Sequence, residues 1–230
     1  MTWAHATNSR SEFKDAVASS SISAIECDVM MNSNNPAEPI LSHPPSRESD
    51  LTVSQMRHFI LGAPRDDQKE NYLRKHLKLD FKEIEVLEPT LDLILNSDFT
   101  NILGKEIFLN ADILSGPGFD RNDPSIVSPS MFLETCLVYI QKLKTKIPQL
   151  LFGFSLGFKA NWKSEEGYSS SEVSRMSDLV SDYHLASSTS RARIVLALNA
   201  RQLSKNLPVF DGFLRYSRFY WKRRTFDSQA

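Results

Sequence analysis

Ala24-Ile25-Glu26-Cys27-Asp28-Val29 is an apolar run of strand length with two carboxylates set into it. Residues i and i+2 of a strand point to the same face, so Glu26 and Asp28 project together and Cys27 projects the other way. Two buried carboxylates side by side repel each other and lose solvation. A core strand carries such a pair only with a cation or shared protons to compensate it. A hard metal ion held by oxygen ligands is the simplest solution.

Outward from that strand, short apolar segments alternate with amphipathic ones, the pattern of βαβ units and a parallel sheet. Strands are predicted at 2–6, 22–29, 76–82, 106–112, 149–156, 192–198 and 213–221. Ser9-Arg10-Ser11-Glu12 and Ser169…Glu172 are capping boxes that open helices. The first of these helices turns Phe13, Ala16 and Val17 inward; the second does so with Val173, Met176, Leu179 and Val180. Thr52 and Gln55 open a helix with Val53 and Met56 on one face. Pro89 and Ser128-Pro129 start two more, at the first-turn position that proline tolerates. The Asn-, Ser- and Pro-rich stretch 30–50 reads as a loop, with Pro39-Ile40-Leu41 leading to His43. Residues 62–75 read as a charged insertion within one domain spanning 1–230.

This count predicts an α/β fold, a TIM-type (β/α)₈ barrel incomplete at its C-terminus, with about seven strands present. A doubly wound open sheet is the alternative, weakened because no glycine-rich phosphate fingerprint follows the first strand. The composition fits a single globular domain: 230 residues, 41% hydrophobic and 24% charged. A net charge of −1 argues against a nucleic-acid partner held through its phosphates. No apolar run approaches the roughly 20 residues that span a bilayer, and no signal peptide is visible. The two cysteines, Cys27 and Cys136, are too few for a disulfide framework and read as buried thiols.

Three consecutive strands break the rule that parallel strands read as continuous apolar runs. Glu26 and Asp28 share one face of the second, Lys78, Asp80 and Lys82 one face of the third, and Asn110 and Asp112 one face of the fourth. All cluster toward the strands' C-terminal ends, where such barrels carry their active sites. Glu26, Asp28 and Asp80 are the expected ligands of one divalent cation, Mg²⁺ or alternatively Ca²⁺, because every donor is oxygen. Lys82 can stabilise a phosphate oxyanion. His5 and His43 are the expected nucleophile and general acid or base. Asn8, Lys78, Asn110, Asp112 and Trp221 are further candidates. Competing readings are bland: an ion-pair ladder for Lys78, Asp80 and Lys82, ordering of the Gly116-Pro117-Gly118 loop by Asn110 and Asp112, and a solvated end for Lys222-Arg223-Arg224. His58, His76 and His184 lack acidic company in the sequence.

Trp3-Ala4-His5-Ala6-Thr7-Asn8-Ser9, Glu26-Cys27-Asp28-Val29, His43-Pro44-Pro45, Leu77 to Lys82, Glu88-Pro89, Leu109 to Leu114, Phe154 to Gly157 and Glu166 to Ser169 together resemble the menorin family over residues 2–200. That family is similar in turn to phosphatidylinositol-phospholipase-C-like phosphodiesterases, including glycerophosphodiesterases and phospholipase-D toxins. The resemblance assigns His5, Glu26, Asp28, His43 and Asp80 to the metal and acid–base positions, Lys82 to a phosphate contact and Trp221 to a tryptophan that precedes the eighth strand. It implies Mg²⁺-assisted attack on a phosphodiester in a lipid or small molecule. The glycerophosphodiesterase arginine is Ala6 here, and their Pro-Glu-Asn-Thr motif is missing. The resemblance also implies an alternative, a non-catalytic extracellular protein with a cell-surface partner. An extracellular location is the family expectation; a cytoplasmic one follows from the absent signal peptide.

Overall fold

The computed structural model describes residues 2–56, 75–96, 106–148, 150–185 and 193–211. In chain order these form β1 (Trp3–Ala4), α1 (Arg10–Ala18), β2 (Ala24–Met30), β3 (Ile40–Leu41), β4 (His76–Phe81), α2 (Leu87–Leu95), β5 (Glu106–Ser115), α3 (Pro129–Lys146), β6 (Leu151–Lys159), α4 (Ser170–Asp182), β7 (Arg193–Ala197) and the single turn α5 (Ala200–Leu203). Residues 53–56 begin a further helix.

The strands make one seven-stranded sheet in the order β1-β2-β4-β5-β6-β7, with β3 antiparallel to β2 and every other pairing parallel. The order follows the chain without the reversal that defines a doubly wound sheet. The first six predicted strands are present. Predicted strand 213–221, with Trp221 in it, lies outside the described residues, as do His58, residues 62–74 of the charged insertion and Lys222 to Arg224. Lys75, at the end of that insertion, is buried and donates from Nζ to the Ile22 carbonyl at 2.6 Å.

The two faces of the sheet divide by alternation. Ile25, Cys27 and Val29, then Leu77, Leu79 and Phe81, then Ile107, Leu109 and Ala111, then Phe152, Phe154 and Leu156 all join one apolar core. The helices complete it with Phe13, Leu91, Leu133, Cys136, Val173 and Met176. Both capping boxes form: the Ser9 and Ser169 hydroxyls accept from the backbone N–H of Glu12 and Glu172, which reach back in turn. These bonds satisfy donors that the first helical turn leaves without partners. α2 starts at Leu87, two residues before the predicted Pro89, because a 3₁₀ turn over Ile84–Val86 feeds directly into it. Pro89 still falls in the first turn, where no intrahelical N–H is required.

The other face carries the polar register. Glu26, Lys78, Phe108, Gly153 and Arg193 lie side by side across β2, β4, β5, β6 and β7, and Asp28, Asp80, Asn110, Ser155 and Val195 form the next row. One level further on, Asp112 pairs with Gly157, just before a register shift that places Leu114 opposite Phe158. Such a bulge locally re-aims side chains at the end of a strand.

Candidate functional site

The cluster grows from the turn after β1 and from β2 and β4. After β1 the chain turns sharply: Ala6 has φ 53°. Its N–H donates to Glu26 Oε2 at 3.1 Å, and the following Thr7 N–H donates to the Glu26 carbonyl. The turn sets His5 Nε2 at 3.1 Å from the same Oε2. Asn8 then grips Asp28 twice, with Nδ2 donating to Oδ2 at 2.8 Å and Oδ1 accepting from the Asp28 N–H at 2.9 Å. Local turn geometry thus fixes two of the three carboxylates before any ligand arrives.

Glu26, Asp28 and Asp80 are all buried and each offers an oxygen within 4.8 Å of the others. Lysines compensate them. Lys82 Nζ lies 2.8 Å from Asp28 Oδ1 and 2.7 Å from Asp80 Oδ2, and Lys78 Nζ lies 3.3 Å from Glu26 Oε1. Burial alone would raise the Asp80 carboxyl, but Lys82 and Lys78 outweigh it and hold it below its ordinary value. For Lys82, burial pulls down and the facing Asp80 and Asp28 pull up harder, so the ammonium is held well above its ordinary range.

Asn110 is buried and donates from Nδ2 to Asp80 Oδ1, so it orders a carboxylate rather than the Gly116-Pro117-Gly118 loop. Asp112 lies one level beyond. Burial first, and then the charge of Asp80, raise its carboxyl above the ordinary value. Its Oδ1 packs against Gly157, where a Cβ would collide with it.

His43 sits on the loop just after β3. Ser42 N–H donates to the Asp28 carbonyl at 3.0 Å, which places that loop beside the C-terminal end of β2. The His43 side chain is exposed, with Nδ1 2.7 Å from the Pro44 carbonyl. It flanks the cluster rather than joining its hydrogen bonds. His76 has acidic company that its own sequence neighbourhood does not reveal: Nδ1 lies 3.9 Å from Glu106 Oε2, at the opposite end of the strands. Sequence reasoning also missed the apolar wall next to Glu26, formed by Trp3, Phe108, Val195 and Leu198. Trp3 and Phe108 read as ordinary strand residues; only the register shows that they share the face of Glu26.

Among known proteins, the chain is 31% identical over 181 residues to human Protein FAM151B, an alignment covering 76% of this chain and 56% of that protein. The chain therefore spans little more than half the length of that curated relative. No solved structure matches it. No helix among the described residues is long and apolar enough to cross a membrane. The Menorin N-terminal domain matches residues 1–220, the stretch that contains β1 to β7 and every carboxylate of the cluster, and the chain belongs to the menorin family.

Proposed function

We propose that this chain is a metal-dependent phosphodiesterase built on a (β/α) barrel, acting on a lipid or small phosphodiester. One observation carries the reading: three buried carboxylates from two adjacent strands bring their oxygens within 4.8 Å of one another, with Asp28 and Asp80 in the C-terminal halves of their strands. The sheet order, running with the chain and without reversal, supports the barrel.

The donor set fits a hard cation. Glu26, Asp28 and Asp80 would hold Mg²⁺ or Ca²⁺ through oxygen alone. Charge balance agrees: three carboxylates against Lys78 and Lys82 leave one negative charge. A divalent ion and a singly charged phosphodiester together bring the site to neutrality. When bound, the ion supplies Lewis-acid polarisation of a phosphoryl oxygen. The remaining work falls to the chain's own groups. Lys82, on a flexible four-carbon stem, turns from Asp28 and Asp80 toward the phosphate oxyanion. His5, oriented by Glu26, is the nucleophile or base, and exposed His43 exchanges the proton of the leaving alcohol. Asn8 and Asn110 keep Asp28 and Asp80 in place.

The test is release of the alcohol from a panel of lysophospholipids and glycerophosphodiesters by the purified protein with Mg²⁺. His5→Ala should lower turnover by about 10²-fold or more. No turnover by a folded full-length homologue sinks the reading.

One observation favours a second reading, a non-catalytic extracellular protein with a cell-surface partner. Lys82 already bridges Asp28 and Asp80, where it would stand in the way of an incoming phosphate, so the carboxylates and a cation beside them would serve structure rather than turnover. Calorimetric titration with Mg²⁺ and Ca²⁺, repeated on Asp80→Asn, separates the two: metal binding without turnover favours the second, and no binding of either ion removes the metal from both.

A further inference from the structure

Beside the carboxylates lies a cavity of about 70 Å³ whose walls come from β1, β2, β4, β5, β6 and β7. At one end are His5, Glu26 and Lys78, which already engage one another through Glu26. The rest of the wall is mainly Trp3, Phe108, Val195 and Leu198, apolar groups that offer a ligand contact area and little hydrogen bonding. Trp3 and Phe108 pack with ring centroids 6.3 Å apart. Phe108 lies flat against the sheet because Gly153 sits beneath it: a Cβ there would stand 2.5 Å from the ring. The glycine therefore leaves room for the ring to lie against the sheet.

We propose that this cavity receives the ester arm of the phosphate ligand, and that the arm is a small uncharged apolar group. The inference deepens the phosphodiesterase reading and rests on it. Glu26 and His5 belong to both the carboxylate cluster and the cavity wall, so a phosphate at the one places its ester carbon at the mouth of the other. A polyol or charged arm is disfavoured, because its hydroxyls or its charge would lose hydration against Trp3, Phe108 and Val195.

The experiment is calorimetric titration of the Mg²⁺-supplemented protein with inorganic phosphate, n-butyl phosphate and glycerol 3-phosphate. The two esters differ in arm polarity and not in the phosphate. The expected result is butyl phosphate binding about tenfold tighter than glycerol 3-phosphate, the scale that burial of about two methylenes supplies. Val195→Phe, or the milder Ala197→Leu at the cavity rim, should abolish that preference and leave inorganic phosphate unaffected. Equal affinity for the two esters, preference for glycerol 3-phosphate, or a butyl preference that survives in folded variants overturns the proposal while the phosphate site stands. Failure of all three probes to bind overturns the functional reading and this proposal with it.

Discussion

Asp112 and Asp80 face the same polar register and carry their charges on different terms. Asp80 is flanked by Lys82 at 2.7 Å and held below its ordinary pKa; Asp112 is raised, first by burial and then by Asp80. A carboxyl raised by folding favours the protonated native state. Its contribution to stability is present in acid and is lost as pH rises through the folded-state value. Asp112→Asn, which keeps the shape and removes the charge, should therefore raise the melting temperature at pH 8 and give progressively less gain toward pH 4. A gain independent of pH would show that ionisation is not the cause. Removing the charge of Lys82 acts the other way. Lys82→Met leaves Asp28 and Asp80 buried without their cation, at a cost of about 3–5 kcal/mol in urea unfolding, and millimolar Mg²⁺ should restore part of the loss. At this scale the sequence was readable where alternation governs. Glu26 with Asp28 and Lys78 with Asp80 share a face because successive strand residues alternate. The bridge that Lys82 makes between two strands, and the double grip of Asn8 on Asp28, depend on side-chain torsions and a turn that alternation does not encode.

Helices α1 and α4 open with the same capping box, yet their first turns do different work. The Ser169 box ends a loop; the Ser9 box immediately follows Asn8, whose side chain holds Asp28. Glu12 also accepts from the N–H groups of Asn8 and Ser9, at 3.1 and 3.0 Å, so the cap and the grip on Asp28 form one structure. Ser9→Ala and Ser169→Ala should each cost about 1 kcal/mol in denaturant unfolding. Only Ser9→Ala should also weaken divalent-ion binding by calorimetry; equal binding in both variants would separate the cap from the site. Both boxes were visible in sequence because their residues sit at fixed local offsets. β3 was not. Its two residues pair with the end of β2, and Ile40 also bridges to Thr52, contacts set by the path of the chain rather than by any run of strand formers. The preference for proline in the first turn puts the start of α2 at Pro89; the preceding 3₁₀ turn, which has no comparable signature, moves it to Leu87.

Across the whole molecule, the polar and apolar faces of the sheet set its stability against its chemistry. The apolar face packs against the helices and accounts for most of the core. The polar face holds Glu26, Asp28, Asp80 and Asp112, carboxylates that a purely structural sheet would replace with aliphatic side chains. Alternating apolar segments made the parallel sheet and its strand order legible. Closure was beyond the sequence, because it depends on the pairing of two edge strands distant along the chain. If the polar face is a cation site, the ion binds the folded chain alone, since only folding brings β2 and β4 together. Binding then raises stability by mass action, by about 2.7 kcal/mol at a hundredfold excess over Kd. For a domain of this size that is roughly 5–10 °C in melting temperature. The shift should appear with Mg²⁺ or Ca²⁺, vanish with EDTA and be lost in Asp80→Asn. It should persist in His43→Ala, because His43 flanks the cluster without contributing an oxygen to it. A shift of equal size in Asp80→Asn would place the ion elsewhere on the protein. No shift at any concentration up to tens of millimolar would show that Glu26, Asp28 and Asp80 require no divalent ion.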